Sequence, residues 1–169
     1  MKIRKSSIML SIVVFVIFCF CISYADEGPK VMKVKGIYLG MNLNDTKKIL
    51  QKFMDKSMEL GEIGGGVWAV ISPTVGYAAV IRGDSENKLD YIAIMRPLVD
   101  AMFGVSGLPV KEFATEFVSA YKIPSMKPFN EGKESGWEFI SAHGYKVRIF
   151  LNGQLDIEKI AKKADLKFD

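Results

Sequence analysis

His143 is the one imidazole that this 169-residue chain can bring to acid–base or metal chemistry. Nucleophilic hydrolysis needs a base held by a partner beside the attacking group. His143 instead precedes Gly144, in what reads as a tight turn between strands. A zinc site needs several His or Cys ligands. Both cysteines, Cys19 and Cys21, lie in the apolar N-terminal stretch, so no thiol follows it. No metal and no cofactor are therefore expected. Acid–base work on glycans would require two carboxyls held about 5–5.5 Å or 6.5–9.5 Å apart across a cleft. The candidates Glu59 with Glu62, Asp84 with Glu86 and Glu131 with Glu134 all fall among Gly, Asn or Lys, where solvated loops are expected. Gly64-Gly65-Gly66 lacks the Lys-Ser/Thr and the helix of a phosphate-binding loop and reads as a linker. Arg82-Gly83-Asp84 reads as hairpin-turn chemistry. The expectation is a protein without enzymatic activity.

The first residues address the chain rather than build it. Lys2, Arg4 and Lys5 precede an apolar stretch from Ile8 to Tyr24, and Ser23-Tyr24-Ala25 offers small residues at the −3 and −1 positions of a cleavage site. An export signal over residues 1–25 is expected, with a periplasmic or secreted product and no membrane contact beyond the transient signal. Phe18 and Phe20 precede the two cysteines, which argues against lipidation. All 19 acidic residues follow Ala25, whereas three basic ones precede it, so the remaining chain sets 20 basic against 19 acidic residues, a net +1 rather than +4. That leaves no basic stripe for nucleic acid.

The elements that must position any site fall into two similar halves. Trp68-Ala-Val-Ile-Ser-Pro-Thr-Val-Gly-Tyr77 and Trp137-Glu-Phe-Ile-Ser-Ala-His-Gly-Tyr145 share Trp, Ile, Ser, Gly and Tyr in order, with one residue inserted in the first. In the first half, 31–39 alternates as a strand. Asn42 then caps a helix over 43–55, Gly61 to Gly66 forms a flexible connection, and strands follow near 67–72, 76–82 and 88–95. In the second half, Met102 to Val105 is a short apolar run and Pro109 opens a helix over 109–121. A loop runs from Ser125 to Ser135, and strands follow at 136–141, 144–151 and 154–160. Asn152-Gly153 supplies a hairpin turn, and Ile160 to Ala164 has the alternative of a terminal helix. The fold expected is α+β: two tandem repeats, 26–98 and 99–169, each a helix packed on a three-stranded antiparallel sheet, the two forming one compact domain.

Gly40-Met41 followed by Asn42 to Leu50, and Gly107-Leu108 at the same place in the second half, carry a resemblance. Helix followed by antiparallel meander is similar to the exported superfamily of outer-membrane assembly lipoproteins of the BamE (SmpA/OmlA) type and the tandem-repeat β-lactamase inhibitory proteins. The lipid-anchoring Cys of the former and the disulfides of the latter are missing here. The resemblance implies a protein-binding module of the bacterial envelope, with another envelope or secreted protein as partner.

Alternation decides which side chains would meet that partner. Glu138 should face water, which turns Trp137 and Phe139 inward. Lys146 and Arg148 should face outward, opposite Tyr145, Val147 and Ile149. In the first half, Ala69, Ala78 and Val80 would make the equivalent outer face apolar. Tyr77, Arg82, Asp84, Tyr91, Tyr145, Lys146 and Arg148 are the expected protein-binding positions. The competing expectation is a carrier holding a lipid or small apolar ligand between the two repeats.

Overall fold

The computed structural model describes residues 28–160. The expected export signal, its cleavage site and the alternative terminal helix beyond Ile160 lie outside that range. Among the described residues no helix is long and apolar enough to cross a membrane.

The chain opens with a two-stranded hairpin, β1 (Lys33–Val34) and β2 (Ile37–Tyr38). A single strand over 31–39 was expected. The turn arises because Lys35 and Gly36 both take positive φ, 49° and 91°, the signature of a tight hairpin turn. Helix α1 (Leu43–Gln51) follows, its first turn capped by Asn42, whose side-chain oxygen accepts from the Asn44 N–H at 2.9 Å. Four strands then run back and forth: β3 (Glu59–Gly64), β4 (Val67–Ser72), β5 (Gly76–Gly83) and β6 (Leu89–Ile94). Two helices, α2 (Arg96–Phe103) and α3 (Val110–Ala120), lead into β7 (Lys127–Glu131), β8 (Glu134–Ile140), β9 (Tyr145–Phe150) and β10 (Leu155–Lys159).

The eight long strands form one antiparallel sheet in the order β3-β4-β5-β6-β10-β9-β8-β7. This corrects the expected α+β arrangement of two repeats, each with a helix on its own three-stranded sheet. The protein is mostly β, each half supplies four strands, and the halves join in a single sheet where β6 pairs with β10. The two strands not anticipated as such, β3 and β7, are the edges. Among the described residues each pairs with a strand on one side only. Gly61 and Gly64 in one and Pro128 and Asn130 in the other carry none of the apolar alternation of an inner strand. α2 was read only as a short apolar run; Pro97 at its start and Gly104 in the left-handed region at its end mark it.

One face of the sheet is the core. Ile81, Ile92, Ile94, Val147, Ile149, Leu155 and Ile157 project toward Leu43 and Leu50 of α1, Leu98, Val99 and Met102 of α2, and Phe113 and Phe117 of α3. Trp68 and Trp137 occupy matching places, each second from an edge, and both pack against this core. The side chains of the other face join no core cluster among the described residues.

Candidate functional site: the open face of the sheet

Cross-strand register fixes which residues share the open face. In the first half Ile71, Ala69 and Val67 of β4 stand opposite Tyr77, Val80 and Arg82 of β5, and Val80 and Arg82 stand in turn opposite Ala93 and Tyr91 of β6. Ala69 and Ala93 are fully covered by their larger neighbours, while Tyr77 is 51% exposed and Ile71 39%. This is an apolar platform with an aromatic at its margin.

A β-bulge puts Tyr77 there. In the second half the register is regular: Phe139 faces Val147 and Ile140 faces Lys146. In the first half Val70 faces Ala79, yet Ile71 faces Tyr77, so Ala78 is the additional residue. Simple alternation would send Tyr77 to the same side as Ala79. The extra residue reverses it. Tyr145, at the corresponding place in the unbulged strand, points into the core, where its hydroxyl donates to the Pro29 carbonyl at 2.6 Å and burial pushes its pKa up.

The second half of the face is polar. The Tyr91 hydroxyl donates to Asp156 Oδ2 at 3.0 Å and the Gln154 amide donates to Asp156 Oδ1 at 2.7 Å. Lys146 pairs with Glu158. Arg148 donates to Glu138 at 3.1 Å and to Glu131 at 2.8 Å, and its guanidinium lies 4.7 Å from the Phe129 ring centroid. Phe129 in turn meets Phe150 edge-to-face at 5.3 Å. At the junction of the halves, Arg82 binds Asp90 at 2.9 Å and lies over the Tyr91 ring. Tyr91, Glu134, Lys146, Arg148, Phe150, Gln154, Asp156 and Glu158 line a recess of about 270 Å³.

Asp156 is held above the ordinary carboxylate range, first because burial disfavours its charge and then because Glu158 and Glu134 lie near; the bonds from Gln154 and Tyr91 only partly offset this. A group whose folded pKa is raised contributes stability fully present below its unfolded value and lost as pH rises through the folded one. Asp156→Asn keeps both hydrogen bonds, because an amide oxygen can accept from Gln154 while its nitrogen donates to the Tyr91 hydroxyl. The variant is therefore expected to melt above the parent at pH 7, with the difference closing as pH falls toward 4. Melting curves across that range check it, and a variant that melts lower at neutral pH contradicts it.

Of the positions expected from the sequence, Tyr77, Arg82, Tyr91, Lys146 and Arg148 share the open face. Tyr145 does not. Asp84 holds the β5–β6 turn, accepting from the Glu86 and Lys88 N–H groups; the Lys88 bond chiefly holds its carboxyl below the ordinary value. Ile71, Phe129, Glu131, Asp156 and Glu158 also belong to the face and were not expected as contact positions, Glu131 having been weighed only as half of a loop carboxyl pair with Glu134. Asp156 and Glu158 alternate with Leu155 and Ile157, which was signal enough to place them outward. Phe129 stands in an edge strand read as loop, and nothing local marked it. Among the described residues no group of His, Cys, Asp and Glu is arranged to hold a metal ion. No protein family, characterised protein or solved structure matches the chain.

Proposed function

We propose that this is an exported, non-enzymatic protein-binding or inhibitory module of the bacterial envelope, which docks another envelope or secreted protein on the open face of its sheet. The observation that carries this reading is the pairing of an uncovered apolar platform, Ile71, Tyr77 and Val80, with fixed charged and aromatic groups alongside it. Interfaces draw most of their energy from such aromatic and Arg anchors in a desolvated centre, ringed by polar contacts. Arg148 is already held by two carboxylates and the Phe129 ring, and Arg82 by Asp90 and Tyr91, so little side-chain freedom remains to be lost on docking. The lone His143 and the absence of a mature thiol support the non-enzymatic part. The basic, apolar and small-residue sequence of 1–25 supports export.

In-cell crosslinking from an artificial photo-reactive residue at position 71 would identify the partner. Affinity is then measured with Ile71→Ala and Tyr77→Ala combined. The expected result is a loss of about 30-fold or more, the scale of losing two anchors worth roughly 2 kcal/mol or more between them, with melting temperature unchanged because neither side chain belongs to the core. Affinity that survives the double substitution ends the proposal.

A further inference from the structure

A second recess lies on the helix-covered side of the sheet, away from the docking face. The extended segment Lys30-Val31-Met32 crosses one wall, the Leu39-Gly40 corner after β2 forms another, and the β8–β9 turn (His143, Gly144), Tyr145 and the end of β10 (Lys159) close the rest. It encloses about 270 Å³. Local bonding builds it: Tyr145 tethers Pro29, the Gly40 N–H donates to Leu89 and the Ile160 N–H to Gly144. Gly40 and Gly144 both sit at φ 84°, where residues with a Cβ are strained, so they turn the chain tightly and add no side chain to the walls.

The chemistry of the lining is one-sided. Lys30, His143 and Lys159 are the titratable groups at its rim besides the Tyr145 hydroxyl, and no carboxylate is among the nine lining residues. Among the described residues neither the Lys30 ammonium nor the His143 ring has a hydrogen-bond or ion-pair partner, and the Lys159 ammonium lies near enough to Asp84, outside the recess, for that carboxyl to feel its charge. The floor is apolar, made of Met32, Leu39 and the Tyr145 ring, and Val31 beside it is 59% exposed. Two lysine ammoniums and an imidazole around an apolar floor, with no carboxylate in the lining, match a ligand with one anionic head and an apolar tail. The volume is at the lower end for a small-molecule site, enough for the head and the first carbons, with the rest of the tail lying along Val31.

We infer that this recess binds the anionic head, phosphate or carboxylate, of a single-chain or membrane amphiphile, with Lys30, Lys159 and His143 as the head ligands and Met32, Leu39 and Val31 as the tail contacts. The site is independent of the docking face, so either can fail without the other.

The test titrates the chain, purified from its producing cells, with dodecyl phosphate below its micelle concentration. Inorganic phosphate serves as the head alone and the uncharged dodecyl maltoside as the tail alone. Saturable one-to-one binding of dodecyl phosphate is expected, at least tenfold weaker after Lys30→Gln with Lys159→Gln and weaker again with Val31→Asp, and unaltered by Tyr77→Ala. All three recess positions are exposed, so the variants should melt with the parent. No saturable binding, equal affinity for either control probe, or undiminished affinity in the double variant overturns the inference. Co-sedimentation with phosphatidylglycerol but not phosphatidylcholine vesicles, lost in the double variant, would assign the ligand to a bilayer lipid. Binding of the dispersed amphiphile alone would assign it to a free one.

Discussion

Gly136→Ala is expected to cost roughly 3 kcal/mol, the upper end for forcing extra atoms into a packed site, and to lower the melting temperature by about 10 °C. A Cβ at this position would stand 2.1 Å from the Ile149 carbonyl oxygen and 2.8 Å from the Phe150 Cα. Both obstacles are main chain of the neighbouring strand, so no rotamer change relieves them. β8 must move away from β9, and among the described residues the ladder between them is what attaches the β7–β8 hairpin to the rest of the sheet. The backbone here is not in the left-handed region; space alone demands glycine. Phe129 and Phe150 meet across the position glycine leaves empty, and Arg148 lies on Phe129. The variant should therefore lose partner binding more steeply than global stability. Thermal melts alongside binding isotherms measure both, and a melt unchanged from the parent would contradict the described spacing of β8 and β9.

Phe113→Ala should be more costly still, about 3–5 kcal/mol by the scale of large-to-small core substitutions. Phe113 is 2% exposed and belongs to an aromatic group between the helices: Phe103 of α2 meets it edge-on at 5.3 Å and Phe117 lies 5.8 Å away. Truncation opens a cavity between α2, α3 and the sheet, and removes both ring contacts, each worth roughly 0.5–1.5 kcal/mol beyond the area it buries. With a urea slope of about 2 kcal/mol/M for a domain of this size, the unfolding midpoint should fall by roughly 2 M. A shift under about 0.5 M would mean that the helices collapse onto the vacancy, or that this aromatic group contributes little.

Where packing imposes a period on the chain, the fold was readable. Helix α3 carries Phe113, Ala114, Phe117 and Tyr121 at helical spacing, and it forms within a residue of the expected limits. The inner strands β4, β5 and β9 each bury at least one face and show it. The likeness of the two tryptophan segments was also informative, since Trp68 and Trp137 take matching places and Ser72 and Ser141 are both buried and hold the turns that follow them. What escaped has a common physical cause. β3 and β7 need little from their side chains, because one neighbouring strand and water satisfy them, so Gly, Pro and Asn were free to mask them as loops. The single sheet itself rests on β6 pairing with β10, two strands expected in separate sheets, and no local residue pattern marks which strand pairs across the halves. The site divides the same way. Lys146 and Arg148 followed from strict alternation, whereas Tyr77 and Tyr145, alike in sequence, end on opposite faces because of one bulged residue at Ala78. A bulge leaves no residue-type signature, only a break in phase that neighbouring alanines conceal.

The centre of the sheet is its last-made part. β10 is the final described strand in the chain, yet it lies between β6 and β9, and its contact Leu155 with Ile94 joins positions 61 apart. Whether the chain leaves a ribosome or threads through a membrane, it travels N-terminus first, so β6 waits as an unsatisfied edge until β10 arrives. During that interval the first half is a half-sheet with an apolar rim, the kind of surface that pairs with the wrong strand when many copies are present. Assembly of this protein is therefore a race between delivering β10 and meeting a neighbour, and the outcome is governed by how fast that strand arrives.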